Sequence, residues 1–170
     1  MTMKELESCI EAYGKDIYNF CLHLTRDREL AEDLYQDTFL TAIQKQKQID
    51  DATVKGYLLS ISIGLWKNAK RKVAWRNRIA PTEQLKDVTE PFLRYTEKDT
   101  VLEEEQKTVI KNAVLRLPEK YRIIVLLFYM QELSQEEIAN VLHIPVGTVK
   151  SRLHTAKQLL KSELEEYFRG

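Results

Sequence analysis

The sequence is poor in the two residues that most often interrupt helices. It contains only 5 glycines and 4 prolines in 170 residues, together less than half of the usual share of roughly 12%. Hydrophobic residues make up 44% of the chain and charged residues 31%, so the chain can form both a buried core and a polar surface. This composition predicts a mostly helical protein with short turns. The length fits one ordinary domain or two small ones.

Features of membrane, secreted and metal-binding proteins are also scarce. The longest apolar run, Ile123 to Met130, has eight residues, whereas a membrane-spanning helix needs roughly 20. The N-terminal segment has acids at Glu5, Glu7 and Glu11, where a secretory signal would carry basic residues and then an apolar core. With only 2 cysteines, Cys9 and Cys21 are interpreted as structural thiols, and a zinc or redox role is the alternative. We therefore expect a cytoplasmic protein without a metal or a cofactor.

The charge is zero overall but unevenly distributed. Residues 1–51 include six basic and eleven acidic residues, whereas residues 52–78 include seven basic residues and no acid. A basic segment is typical of a protein that binds a polyanion, because each cation on a phosphate releases counterions. A solvated face is the alternative. Trp66 and Trp75 lie in this segment, where they could stack on bases or belong to the core.

The first part of the chain shows helical spacing of apolar residues in three segments. The first covers about 4–25, and Asp27 can cap the second by accepting a free backbone N–H. The second, about 28–45, has an acidic outer face and an inner side formed by Leu30, Leu34, Thr38 and Ala42. The third, about 53–76, carries the basic segment. A polar stretch with Pro81 and Pro91 then predicts a flexible linker over 79–99.

The C-terminal part predicts a helix-turn-helix. Ser134 and Glu137 have the spacing of a capping box at the start of a short helix, whose buried side is Ile138, Ala139, Val141 and Leu142. A second helix should begin at Pro145, with a buried stripe formed by Val146, Val149, Leu153, Ala156 and Leu160. Such a second helix typically enters the major groove of DNA. A helical pair that does not bind DNA is the alternative.

Three motifs occur along the chain in a characteristic order: DRELAEDLYQDTFL, GYLLSISIGLWKNAKRK and LSQEEIANVLHIPVGTVKSRLHTAKQLL. Together they resemble a bacterial sigma factor of the extracytoplasmic function group of the sigma-70 family, and the resemblance covers almost the whole chain. It implies an all-α fold with two small helical domains. These would be region 2 at 1–78 and region 4 at 100–170, joined by a flexible linker at 79–99.

The resemblance implies an alternative sigma factor, which binds core RNA polymerase and directs promoter-specific initiation of transcription for an envelope-stress or extracellular-signal regulon. The expected partners are core polymerase, promoter DNA and a dedicated anti-sigma factor, often membrane-anchored, with no small-molecule substrate. The protein would then be cytoplasmic and held at the inner face of the membrane by that factor. No phosphate loop or nucleophile elbow is found, so we expect no enzymatic activity. Two alternatives remain: an autonomous helix-turn-helix regulator and a helical adaptor that binds no nucleic acid.

The resemblance also assigns roles to individual residues. Core polymerase would be bound by Glu32, Asp33, Gln36, Asp37 and Leu40. The loop at 50–56 and the third helix would open the minus-ten element and hold a flipped base, and DNA would be bound there by Trp66, Lys67, Lys70, Arg71, Lys72 and Arg76. The recognition helix would bind the minus-thirty-five element through Thr148, Lys150, Ser151, Arg152, His154 and Lys157.

Overall fold

The computed structural model describes residues 3–45, 54–79 and 102–169, with the backbone alone for 102–106. Within these ranges the regular elements are all helices, which confirms the predicted all-α fold. The chain divides into two compact units, each of which consists of helices. The predicted linker lies outside the described residues except for Ile79, which is the last residue of the helix Val54–Ile79. The domain limits at 78 and 100 stay a prediction.

The first unit contains three helices: α1 (Met3–Thr25), α2 (Arg28–Gln44) and α3 (Val54–Ile79). The predicted cap of α2 is present, because the Asp27 carboxylate accepts the N–H of Leu30 at 3.1 Å. The buried hydroxyl of Thr25 donates to the Asp27 carbonyl at 2.9 Å. These bonds fix the short turn between α1 and α2. Of the predicted loop at 50–56, residues 54–56 form the first turn of α3, and the rest lies outside the described residues.

The core of the first unit is formed by one stripe of each helix, including Ile17, Phe20, Leu24, Ala31, Ala42, Leu58 and Leu59. The prediction for α2 is wrong at Leu30, which is 40% exposed, whereas Ala31 and Phe39 are buried. The reason is the angular position of Leu30. Ala31, Leu34, Thr38 and Ala42 follow one another at three or four residues and share one stripe, but Leu30 lies about 100° away from Ala31 around the helix.

A glycine allows α1 and α2 to approach closely. Gly14 is buried, and a Cβ at this position would lie 2.9 Å from the Tyr35 hydroxyl oxygen. The Tyr35 ring is held edge-on between Tyr18, at a centroid distance of 5.7 Å, and Phe39, at 5.0 Å. The aromatic cluster therefore fills the space that a larger residue on α1 would need.

Three buried polar side chains meet where α1, α2 and α3 pack together. The Thr38 and Ser62 hydroxyl oxygens are 2.9 Å apart, and the Cys21 thiol donates to Ser62 at 3.9 Å. Each hydroxyl also approaches the carbonyl four residues earlier in its own helix, Leu34 at 2.7 Å for Thr38 and Leu58 at 3.0 Å for Ser62. Burial raises the pKa of Cys21 from 9.0 to about 12, while the Ser62 hydrogen bond acts in the opposite direction. Cys21 is therefore a protonated core thiol at neutral pH.

The second unit contains α4 (Leu102–Arg116), α5 (Glu119–Val125), α6 (Gln135–Leu142) and α7 (Val146–Arg169). A single π-helical turn, Leu126–Met130, continues α5. The Ser134 hydroxyl accepts the N–H of Glu137 at 3.1 Å, which confirms the Ser134 half of the predicted capping box at the start of α6. The second helix begins at Val146, one residue later than predicted. The Pro145 carbonyl lies just outside and accepts the N–H of Thr148 at 3.0 Å.

The helix-turn-helix is formed by α6 and α7, which pack against each other. In addition, α7 packs on α5, and α6 contacts the π-helical turn. Ile138, Val149, Leu153 and Ala156 are almost fully buried, as the predicted stripes require, whereas Leu142, Val146 and Leu160 are only half-buried. In α5 the Arg122 side chain, 3% exposed, donates to the Leu117 carbonyl at 3.1 Å. An ion pair between Arg116 and Glu163 joins α4 to α7.

We expect the stability of the first unit to fall as the pH rises above 9. The unfolded thiol of Cys21 ionises near its ordinary pKa of 9.0, whereas the native thiol stays protonated up to about 12, so ionisation stabilises the unfolded state within this window. Urea unfolding followed by circular dichroism at pH 8 and pH 10.5 should show a larger loss for the wild type than for Cys21→Ala. Equal losses in the two proteins would contradict this prediction, because all other ionisable groups are shared.

Candidate nucleic-acid and protein-binding surfaces

The outer face of α2 carries all five residues that were predicted to bind polymerase. At 100° per residue they fall within an arc of about 140°, on the side of the helix opposite to the buried stripe. All five are exposed, and Leu40 is 56% exposed in their middle. We call this set the acidic surface of α2: Glu32, Asp33, Gln36, Asp37 and Leu40. The helix packing therefore brings these residues together on one side of the first unit.

The second half of α3 extends beyond the core of its unit. The buried residues of this helix all lie between Val54 and Ile63, whereas the stretch from Lys67 to Ile79 is exposed except for the half-buried Asn77. We call Lys67–Ile79 the basic arm. Its 13 residues span about 20 Å at a rise of about 1.5 Å per residue. No other described residues of the first unit cover the basic arm.

The cations of the basic arm do not share one face. Lys67, Lys70 and Arg71 lie within an arc of about 100°, whereas Lys72 and Arg76 lie on the other side of the helix. All five side chains are exposed. The predicted residues are therefore brought together along the arm, and they can contact a polyanion from two sides.

The two tryptophans of this helix differ in exposure. Trp66 is half-buried, and the Lys70 ammonium lies 5.7 Å from its ring centroid, a cation–π contact. Trp75, which was not among the predicted DNA-binding residues, is 64% exposed. It lies between the two groups of cations, on the side opposite to Trp66. Of the two rings, Trp75 presents the larger free face for stacking.

The recognition surface on α7 has the predicted polar character. Lys150, Ser151, His154 and Lys157 are exposed within an arc of about 120°. Thr148 and Arg152 are half-buried. Both lie on one side of this arc, between Ser151 and the buried stripe of α7. The Lys157 ammonium lies 5.9 Å from the Phe128 ring centroid. Lys157 therefore lies at the end of the recognition surface, next to the π-helical turn that continues α5.

An apolar groove in the second unit was not predicted. It has a volume of about 750 Å³ and is lined by Ile110, Val114, Val125, Tyr129, Leu160, Leu164 and Phe168, with Lys157, Lys161, Arg169 and Glu165 at its edge. Ile110 is 48% exposed, Tyr129 52% and Phe168 62%. The available sequence signal was the spacing of four residues between Leu160, Leu164 and Phe168, beyond the end of the predicted stripe. The groove therefore presents an apolar surface with three basic residues against one acidic residue.

Two further observations concern the described residues alone. Among them, His, Cys, Asp and Glu side chains form no group of three or more that could hold a metal ion. No helix in the same ranges combines the length and the apolar character that a membrane span requires.

Comparison with protein families identifies both units. The model of sigma-70 region 2 matches residues 9–76, and the model of sigma-70 region 4 matches residues 107–160. The RNA polymerase sigma factor SigW of the extracytoplasmic function group from Bacillus subtilis is 30% identical, over 92% of this chain and 87% of its own length. SigL of Mycobacterium tuberculosis, in the same group, is 29% identical, over 95% of this chain and 89% of its own length. The chain belongs to the extracytoplasmic function group of the sigma-70 family.

Solved structures show the same fold for this sigma factor. The sigma factor RpoE of Bartonella quintana, in complex with the anti-sigma factor NepR, has a TM-score of 0.80 at 22% identity, covering 96% of this chain and 98% of that chain. CnrH, in complex with the cytosolic domain of CnrY, has a TM-score of 0.68 at 16% identity, covering 97% and 90%. The predicted family and the two-region fold are thus confirmed. The autonomous regulator is not favoured, and the roles of individual residues stay a prediction.

Proposed function

We propose that this sigma factor binds core RNA polymerase through the acidic surface of α2 and carries the basic arm and the recognition surface to promoter DNA. The observation that carries the proposal is the arrangement of charge in the first unit. The buried stripe of α2 forces the acidic surface outward, while α3 extends its cations beyond the core. One unit therefore offers an acidic surface for a basic protein and a basic surface for a nucleic acid.

The acidic surface of α2 suits a basic protein partner for two reasons. Its three carboxylates attract cations over distance and so raise the association rate. Leu40, which is 56% exposed, adds apolar area at the centre of the surface, and burial of this area stabilises a complex by roughly 25 cal/mol per Å². Attraction by charge and burial of a central apolar residue together give both rate and specificity.

The two basic surfaces suit different forms of promoter DNA. The recognition surface has short polar and basic side chains on one face of a helix, which fits the major groove of a duplex. The basic arm has cations on two sides and the exposed Trp75, so it can hold phosphates of two strands and stack on an unpaired base. The energy for opening comes from these contacts and from the polymerase. The sigma factor itself then acts as a binding subunit without catalysis.

The apolar groove is a second polymerase contact in this proposal. Its open apolar lining needs a protein partner, because nucleic acid offers mainly phosphates at its surface. Its three basic edge residues favour an amphipathic segment that carries acids. Binding of the polymerase at both regions would raise the overall affinity through effective concentration.

The similar structures in complex with anti-sigma factors support a further partner. We infer that this sigma factor is also held by an anti-sigma factor, which is anchored at the membrane and keeps the sigma factor at its cytoplasmic face. Such a factor would act by covering surfaces that the polymerase requires. Release of the factor by an extracellular or envelope signal would then switch on the regulon.

Transcription in vitro with purified bacterial core polymerase tests the proposed function. The wild type should produce discrete start sites on fragmented genomic DNA of the source organism. Asp33→Lys with Asp37→Lys should abolish both these starts and binding to core polymerase, because two attractive charges become repulsive on the acidic surface of α2. Glu7→Lys with Glu11→Lys is the matched control, since these acids have the same spacing on exposed positions of α1. Equal loss in both pairs, with unchanged circular dichroism, would contradict the docking surface.

The two DNA-binding surfaces should differ in their effect on a defined promoter. Lys70→Ala with Arg71→Ala should weaken promoter opening, and the salt dependence of log K should become less steep by about 1 to 2, because about 0.7 to 0.9 counterion is released per phosphate contact. Lys150→Ala with His154→Ala should instead change the preferred minus-thirty-five sequence. Lys15→Ala with Lys45→Ala removes two exposed cations elsewhere in the first unit and should do neither. The same defect in both test pairs would refute the proposed division.

The groove contact predicts a second effect on polymerase affinity. Ile110→Asp places a charge on the groove lining and should weaken binding to core polymerase at least tenfold, since the lining would lose its apolar character. Leu159→Asp is the control, because Leu159 has a similar exposure of 40% and lies on α7 outside the groove. Fluorescence titration with labelled sigma factor measures both affinities. An unchanged affinity for Ile110→Asp would overturn this contact.

A further inference from the structure

The buried polar cluster of the first unit has more hydrogen-bond contacts than protons. Cys21, Thr38 and Ser62 contribute one proton each, whereas four contacts lie within hydrogen-bonding range: thiol to Ser62, Thr38 to Ser62, Thr38 to Leu34 and Ser62 to Leu58. If both hydroxyls donate to their own helices, the contact between them has no proton. The hydrogen bond between the two helices therefore forms only when one of the two hydroxyls no longer donates to the carbonyl of its own helix. The 2.9 Å separation shows that packing holds the two oxygens at bonding distance.

This cluster lies at the point where α3 leaves the core. Ser62 and Ile63 are the last buried residues of α3, and the basic arm begins four residues after Ile63. Thr38 is 0% exposed and directly follows Asp37 of the acidic surface of α2. The contact between Thr38 and Ser62 therefore joins the helix with the acidic surface to the helix with the basic arm.

Apolar packing alone leaves the register between α2 and α3 weakly defined. Hydrophobic contact is non-directional, so it specifies the axial position of one helix on another less sharply than a hydrogen bond does. A hydrogen bond between two fixed oxygens exists at only one axial position, and buried polar contacts of this kind are known to set register between helices. Because the basic arm, about 20 Å long, is part of the same helix, any sliding of α3 on α2 displaces the whole arm.

We propose that Thr38 and Ser62 are positioning residues, whose hydrogen bond fixes the register of α3 on α2 and so places the basic arm relative to the acidic surface. The proposal rests on the proposed function, in which the polymerase holds α2 while the arm acts on DNA. Loss of the bond should then leave polymerase affinity unchanged but impair promoter opening. Cys21 supports the pair by donating to Ser62.

The experiment compares loss of the hydroxyl with loss of the methyl group at position 38, using the full chain with core polymerase. Thr38→Val keeps the shape and removes the hydroxyl, whereas Thr38→Ser keeps the hydroxyl and leaves a small cavity. Ser62→Ala removes the other partner and leaves Thr38 bonded to Leu34. Thr25→Val is the matched control, because Thr25 is another fully buried hydroxyl of this unit but bonds to the backbone of Asp27, two residues away, and not to α3 as the structure describes it.

Two quantities are measured for each variant: the dissociation constant for core polymerase and the fraction of open complex at saturating sigma factor, by permanganate reactivity of unpaired thymines. We expect Thr38→Val and Ser62→Ala to lower the open-complex equilibrium about fivefold, the factor that corresponds to one net hydrogen bond, with affinity for core changed less than twofold. Thr38→Ser should retain opening, and Thr25→Val should retain it even if its melting temperature falls.

The outcomes separate this inference from the proposed function. If the wild type opens promoters but Thr38→Ser is as impaired as Thr38→Val, packing volume matters and the positioning role is wrong. If Thr25→Val impairs opening equally, general loss of stability explains the effect and the inference is again overturned. If the wild type neither binds core polymerase nor opens a promoter, the proposed function fails and this inference fails with it. If Thr38→Val does not fold, Ser62→Ala takes its place as the variant without the hydrogen bond, and Thr38→Ser and Thr25→Val remain its controls.

Discussion

The buried stripe of α2 is the constraint on which the first unit depends. This helix packs against both α1 and α3, so its inner side must be apolar or fully hydrogen-bonded, and its outer side is left free for charge. Ala31 and Ala42, both 0% exposed, allow the neighbouring helices to come close. Gly14 does the same from α1, where the Tyr35 hydroxyl occupies the space that a side chain would take. The acidic surface of α2 is thus a direct consequence of tight packing on the other side.

The same packing explains why a chain with no net charge can bind both a protein and a nucleic acid. Its 26 basic and 26 acidic residues cancel in number but not in space. The acids of α2 lie beside the core, whereas the cations of α3 extend beyond it, so each of the two proposed binding surfaces carries charge of largely one sign. Local fields of this kind steer association even when the total charge is zero. Screening at physiological salt, with a Debye length of about 8 Å, keeps the surfaces independent over the length of the arm.

The sequence was sufficient to predict those features that depend on interactions between residues close together along the chain. Asp27 and Ser134 were predicted as caps, and both accept the expected backbone N–H, because a cap involves residues only three apart. The prediction that Leu30 belongs to the inner side of α2 was wrong, because spacing alone does not show which of two adjacent stripes packs against the neighbouring helix. The groove and the contact of Thr38 with Ser62 could not be predicted, since each joins residues of separate helices. Likewise, only the structure shows that Trp66 is half-buried while Trp75 is exposed.

Lys157 shows how closely two binding surfaces adjoin in the second unit. It is exposed on the same stripe of α7 as Lys150 and His154, yet it also borders the groove and lies over the Phe128 ring. α7 has 24 residues, about 36 Å at a rise of about 1.5 Å per residue, which is long enough for the proposed DNA contact in its first half and the proposed polymerase contact in its second half. A single ammonium at the boundary cannot satisfy a phosphate and an acidic groove ligand fully at once. In the proposed function, occupation of the groove by an acidic segment therefore changes the charge that region 4 presents to DNA, and the two proposed contacts are linked without any change of fold.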